Sequence, residues 1–192
     1  ECTRLEEALE KIENGMHILI REGSAAQNFD TLHPLIAKYP ESCMFCTDDC
    51  HPDSLEQGHI NTLVSRALAA GHDLFDVLRV SSYNASKHYG INTGMLQPGD
   101  PADFVIVNNL DKMDVIATYI DGKPVFENGK VQFQTSTSKP VNNFKLNKEI
   151  RPEQLEVYSD ASLFKIIQAF DGSLFTDMLE YQLRKEKGKV LA

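Results

Sequence analysis

A chain of 192 residues holds one large domain, or one domain and part of another. Its composition, 42% hydrophobic and 24% charged, is that of an ordinary globular protein, and 19 Lys+Arg against 28 Asp+Glu leave a formal net charge of -9. Such a charge repels phosphate backbones and anionic lipid surfaces, which argues against nucleic-acid and membrane-surface partners.

No apolar run approaches the roughly 20 residues that span a bilayer, and Glu1-Cys2-Thr3-Arg4 lacks the basic start and apolar stretch of a secretory signal. A cytoplasmic location is expected. Three of the four cysteines crowd into Cys43, Cys46 and Cys50, unlike a secreted disulfide framework, so reduced thiols are expected. With no initiator methionine and a helix start at its first residues, the sequence is expected to begin inside a longer polypeptide.

Thr3 and Glu6 have the spacing of a capping box, and Leu5, Ala8, Leu9, Ile12 and Met16 recur at helical spacing before Gly15 ends the turn. His17-Ile18-Leu19-Ile20 then reads as a buried strand, ended by the polar run Arg21-Glu22-Gly23-Ser24. A short helix through Leu32, Leu35 and Ile36 closes at Tyr39-Pro40, and a second strand, Cys43-Met44-Phe45-Cys46, stops at Thr47-Asp48-Asp49. These two strand–loop–helix units lie about 26 residues apart, the rhythm of βα repeats with a parallel sheet.

His59 to Ala70 carries Ile60, Leu63, Val64, Ala67 and Leu68 on one stripe, and Asp73 is placed to cap a further helix through Val80. From Gly94 the texture changes to short apolar runs punctuated by Pro98-Gly99, Asp121-Gly122 and Asn128-Gly129, the pattern of antiparallel strands. Phe104, Tyr119, Phe126 and Phe133 sit in these strands and are expected in the core. Residues 134–140 have linker composition; Leu163 to Ile167 reads as a strand, and Arg184 to Lys189 as a hairpin-like end.

The sharpest constellation is Thr47-Asp48-Asp49-Cys50-His51-Pro52-Asp53, where the second buried strand runs out. In α/β barrels that edge assembles active sites, and carboxylate and imidazole suit a divalent metal there. An N-cap or Asx turn is the competing account of the paired aspartates. Arg21-Glu22-Gly23-Ser24 occupies the equivalent place after the first strand. It could orient a polar heterocycle, or form an ion pair between strand ends. His59 faces the same rim or simply caps its helix. His17, His33, His72 and His88 have no partner at ligand spacing and are assigned no role. Cys43-x-x-Cys46-x-x-x-Cys50-His51 invites a zinc knuckle, yet residues three apart on a strand point to opposite faces.

Leu5-Glu6-Glu7-Ala8-Leu9, Gly15-Met16, Arg21 to Ala26, Thr47-Asp48-Asp49 with His51-Pro52-Asp53, and Gly58-His59-Ile60 together resemble the adenine deaminases of the amidohydrolase superfamily. Gly94 to Val107 is similar to the strand pair many amidohydrolases place after their barrel. The resemblance implies an α/β chain: a partial (β/α)8 barrel holding the last two βα units over residues 1–93, an antiparallel β segment over 94–135, and a linker with the start of a C-terminal β domain over 136–192. It implies hydrolysis of adenine to hypoxanthine and ammonia with a divalent metal (manganese, iron or zinc). Asp48 is then the metal ligand, Asp48 and Asp49 the catalytic carboxylates, and Arg21, Glu22, Ser24, His51 and His59 the substrate contacts.

The family's paired-histidine motif and its other metal-binding histidines are absent, and Cys50 stands where many relatives carry a basic residue. The chain alone is therefore expected to be inactive, to bind no metal by itself, and to self-associate through exposed strand edges into a homo-oligomer. Two other readings stand beside this one: an amidohydrolase acting on a cyclic amide or another amine, and a non-catalytic oligomerisation module binding zinc through Cys46, Cys50 and His51.

Overall fold

A computed structural model describes residues 2–136, 139–141, 143–145 and 149–191. Two compact units divide the chain, residues 1–134 and 135–192. In the first, α1 (Leu5–Glu13) leads into β1 (Ile18–Arg21). The capping box does not form. The helix begins one residue later than Thr3 requires, so Arg4 is the N-cap without a side-chain bond, and the Thr3 N–H reaches Glu7 Oε2 at 3.4 Å instead. Met16 falls beyond the helix and is exposed.

After β1 come α2 (Phe29–Leu32), a 3-10 turn (His33–Ala37) and β2 (Cys43–Cys46). The two strands pair in parallel, Ile18 with Cys43 through Arg21 with Cys46, so residues of like parity share a face. Ile18, Ile20, Cys43 and Phe45 join the core with Leu32, Ile36, Leu63, Val64, Ala67, Val77 and Val80 from the helices. Burial pushes the Cys43 thiol up to about 12, which keeps it protonated and unreactive. Arg21 and Cys46 end the opposite face, so Cys43 and Cys46 cannot hold one ion between them.

Beyond β2 lie α3 (Pro52–Gln57), α4 (Ile60–Ala69) and α5 (Leu74–Leu78), whose N-cap Asp73 accepts from the N–H groups of Phe75 and Asp76. The helix expected to stop at Val80 instead continues through a π turn (Arg79–Tyr83) into α6 (Asn84–Tyr89). Tertiary packing explains the extension. Buried Asn84 donates to the carbonyls of Pro40 at 2.6 Å and Cys43 at 2.7 Å, pinning the entrance of β2.

The antiparallel sheet runs β3 (Phe104–Val107), β4 (Val115–Ile120), β5 (Lys123–Glu127) and β6 (Lys130–Val131), in that order. It docks on α4 through Asn61, which donates to the Met113 carbonyl at 3.2 Å, and through Ser65, which bonds the Asp111 carbonyl. Phe104 and Tyr119 stack on each other at 4.7 Å between centroids. Phe133, expected in the core, is exposed because the sheet ends before it.

In the second unit, β7 (Phe164–Ala169) pairs antiparallel with β8 (Thr176–Tyr181), a strand without a sequence signal, and β9 (Arg184–Glu186) pairs with β10 (Lys189–Leu191). Glu156, held below the usual carboxylate range by its hydrogen bond to Lys189, ties β10 to the preceding segment. Thr137 and Ser138 of the expected linker, like Glu1, lie outside the described residues.

The loops after β1 and β2 interlock. Glu22 N–H donates to the Cys46 carbonyl at 2.8 Å, Ser24 N–H to the Asp49 carbonyl at 2.9 Å, and His51 N–H to Ser24 Oγ at 2.9 Å. Gly23 is required by this approach: a Cβ there would stand 2.8 Å from the Thr47 carbonyl oxygen. Away from the loops, His33 Nδ1 and His72 Nε2 meet at 2.9 Å, and the His33 ring stacks on Phe29. Two histidines given no role thus join the turn after α2 to the segment before α5.

Three outcomes follow from this packing. Ile20→Ala removes a fully buried side chain and lowers unfolding free energy by about 2–5 kcal/mol in urea titrations. Gly23→Ala forces the two loops apart and costs about 1–3 kcal/mol by the same measurement. Burial, and then the charge of His33, lower the His72 pKa below 6.5 against a smaller opposing pull from Asp76. The unfolded chain thus binds more protons than the folded one just below pH 6.5. The contribution is present above that pH and lost as pH falls, and His72→Gln flattens this part of a stability-against-pH curve.

Candidate functional site

Both parallel strands end at the same level, because Arg21 is paired with Cys46, so the residues that follow them converge. Arg21 is 7% exposed and its guanidinium lies 3.0 Å from Asp48 Oδ2. An ion pair links the two strand ends, the plainer of the two roles open to Arg21 in the sequence. Asn28 secures the strand end, accepting from Arg21 N–H at 2.6 Å and donating to the Cys2 carbonyl at 2.9 Å.

Asp48 has a φ of 49°, in the left-handed region that Asp tolerates better than most residues. That conformation turns the chain at the end of the strand and leaves the Asp48 side chain 44% exposed while Arg21 engages one of its oxygens. Asp49 follows with its carbonyl taken by Ser24 N–H and its side chain exposed.

Beside this pair opens a cavity of 310 Å3. Of the expected site residues, Glu22, Ser24 and His59 line it, whereas Arg21, Asp48, Asp49 and His51 lie outside its lining. His51 contributes its backbone to the loop interlock and carries an exposed side chain. Thr47 and Cys50, both within the constellation marked in the sequence, share the polar wall with Gln27, Ser54, Gln57, Thr62 and Arg66, to which the sequence reading gave no part in the site. Thr47 Oγ1 and His59 Nε2 are 2.9 Å apart, which fixes the imidazole plane at the mouth. Gly58, just before it, could not carry a Cβ, which would fall 2.2 Å from the Thr62 methyl.

The innermost charge in the wall is Glu22. Its Oε1 accepts from Arg66 Nη1 at 2.6 Å and its Oε2 from Phe29 N–H at 3.3 Å. Arg66 also reaches Asp30 at 2.9 Å and lies over the Phe29 ring, 4.2 Å from its centroid. Partial burial disfavours the Arg66 cation, but the bonds and charges of Glu22 and Asp30 outweigh it and raise its pKa. A cavity walled by a carboxylate fixed on a guanidinium, by the hydroxyls of Ser24, Thr47, Ser54 and Thr62, an imidazole and the amides of Gln27 and Gln57 suits a small polar molecule bearing N–H donors.

Among the described residues, no three His, Cys, Asp or Glu side chains come together as a metal site, which also leaves the zinc-module reading without a ligand cluster. Asp48, a hard oxygen donor at a strand end with one oxygen on Arg21, has the chemistry of a single ligand to a divalent ion. No described helix is long and apolar enough to cross a membrane.

Residues 1–125 match the model of the amidohydrolase family. An adenine deaminase of Salinibacter ruber is 47% identical over 176 residues, covering 92% of this chain and 32% of that protein. An adenine deaminase of Methanosarcina mazei is 52% identical over 149 residues, 77% of this chain and 27% of the relative. The chain thus spans about a third of the length of these curated relatives. Among solved structures, a β-aspartyl dipeptidase of Fervidobacterium islandicum AW-1 superposes with a TM-score of 0.52 at 18% identity, over 68% of this chain and 38% of that one. That likeness carries the fold. A family match over most of the chain, on a parallel βα scaffold followed in sequence by antiparallel strands, places this chain in the amidohydrolase family.

Proposed function

We propose that this chain is part of an adenine deaminase, and that the whole protein hydrolyses adenine to hypoxanthine and ammonia. The observation that carries the reading is the 47% identity to a curated adenine deaminase across 92% of the chain. In this reading residues 1–93 are the last two βα units of a (β/α)8 barrel, 94–135 the β segment that follows, and 136–192 the start of a further β domain. The protein works in the cytoplasm as a homo-oligomer. Manganese, iron or zinc is held by Asp48 together with ligands outside this chain, and when bound it supplies an activated water for attack at C6 of the purine.

The chain's own residues do the rest. Glu22 and Ser24 orient the heterocycle within the cavity, with Arg21 and His51 acting from the loops behind it and His59 closing the mouth. Arg21 holds Asp48 by one oxygen, which leaves the other directed by a fixed partner. The proton that water gives up must reach the departing amine, and a strand-end carboxylate is suited to carry it. Asp48 has that role, with Asp49 next to it.

The test is a deaminase assay on the full-length protein, following conversion of adenine to hypoxanthine. Activity is expected, is lost on chelation and returns with a divalent ion. Asp48→Asn lowers kcat at least about a hundredfold with the fold intact by circular dichroism. Residues 1–192 alone give no turnover. A full-length enzyme that ignores adenine and opens a cyclic amide instead would overturn the assignment.

A further inference from the structure

Nothing in the sequence drew attention to Arg66, because it lies in the last turn of α4, about 40 residues from Glu22 and Asp30. We propose that Arg66 is a positioning residue that locks the Glu22 carboxylate into the cavity as a fixed acceptor for an N–H of the bound heterocycle. This rests on the reading that the cavity takes adenine.

A glutamate side chain has three rotatable bonds, and an unrestrained one would swing away from a ligand or into solvent. Here each carboxylate oxygen has a partner: Oε1 the guanidinium at 2.6 Å, Oε2 the Phe29 N–H at 3.3 Å. Each oxygen keeps a further lone pair for the cavity it lines. The arginine is itself fixed on two more sides, by Asp30 at 2.9 Å and by the Phe29 ring below its plane. Phe29 therefore holds both partners, one through its backbone and the other through its ring.

The geometry favours arginine over lysine. One planar fork reaches two carboxylates while lying flat on an aromatic face, which a compact ammonium cannot do. The carboxylate oxygens held in this way line the cavity as acceptors, so a ligand presenting N–H is favoured and one presenting only lone pairs is not. Adenine offers such an N–H on its imidazole ring.

The experiment uses full-length protein with the variants Arg66→Met, Arg66→Lys, Glu22→Gln and the double variant Arg66→Met/Glu22→Gln. Equilibrium dialysis of adenine against metal-stripped protein gives Kd, and the metal-loaded enzyme gives KM and kcat. Arg66→Met is expected to raise Kd and KM about tenfold, with kcat changed far less, since the lost contact acts on binding. Arg66→Lys should recover part of the loss. Glu22→Gln should match Arg66→Met, and the double variant should add nothing to either.

A merely structural Arg66 would lower the amount of folded protein and leave Kd and KM of the remainder unchanged, which overturns the proposal. So would additive losses in the double variant. If Arg66→Met does not fold, the comparison of Arg66→Lys with Glu22→Gln decides in the same way. Wild-type protein that fails to bind adenine overturns the adenine reading itself, a result distinct from wild-type binding that the variants leave untouched.

Discussion

The parallel register of two four-residue strands is the constraint on which the rest depends. Pairing Arg21 with Cys46 brings two loops, remote in sequence, to one level, and backbone bonds from Glu22 and Ser24 then knit them together. A slip of one residue would turn Arg21 toward the helices and separate it from Asp48. The register is held from behind by Ile18, Ile20, Cys43 and Phe45 packing into the helical layer, and from the side by Asn84 and Asn28. Apolar burial thus sets the placement of the polar groups.

Charge in this region is arranged in two separate pairings. Arg21 engages Asp48 behind the cavity, and Arg66 engages Glu22 within its wall. Two arginines therefore hold these carboxylates in separate places, and Arg66 reaches Asp30 as well. Asp48 keeps an exposed side chain at a strand end; Glu22 lies in the cavity wall with both oxygens hydrogen-bonded within the protein.

Much of this was legible beforehand. Apolar runs of strand length at 17–20, one residue ahead of the strand that forms, and at 43–46, the stripe on α4 and the Asp73 cap follow from periodicity and local hydrogen-bonding chemistry, which need no distant partner. The Thr3 capping box failed because a one-residue shift of the helix start moves its acceptor from Glu6 to Glu7. The end expected at Val80 failed because Asn84, buried against β2, repays continuation of the helix with two bonds that no window of sequence contains. β8, with Asp177 and Glu180 among its residues, has too mixed a pattern to read as a strand without its partner β7.

Local order, then, came from the sequence alone for most elements: where the two buried strands and the striped helix lie, which loops carry carboxylates, and which family the motifs resemble. These depend on residues a few positions apart, whose interactions are set by backbone geometry. Only the folded chain decided that Arg21 belongs to Asp48, that Glu22 belongs to Arg66, that Thr47 steadies His59, and that His33 meets His72. Each of these contacts joins side chains from different elements. Their distances depend on how the helical layer packs against the strands, a property of the summed burial rather than of any local pattern.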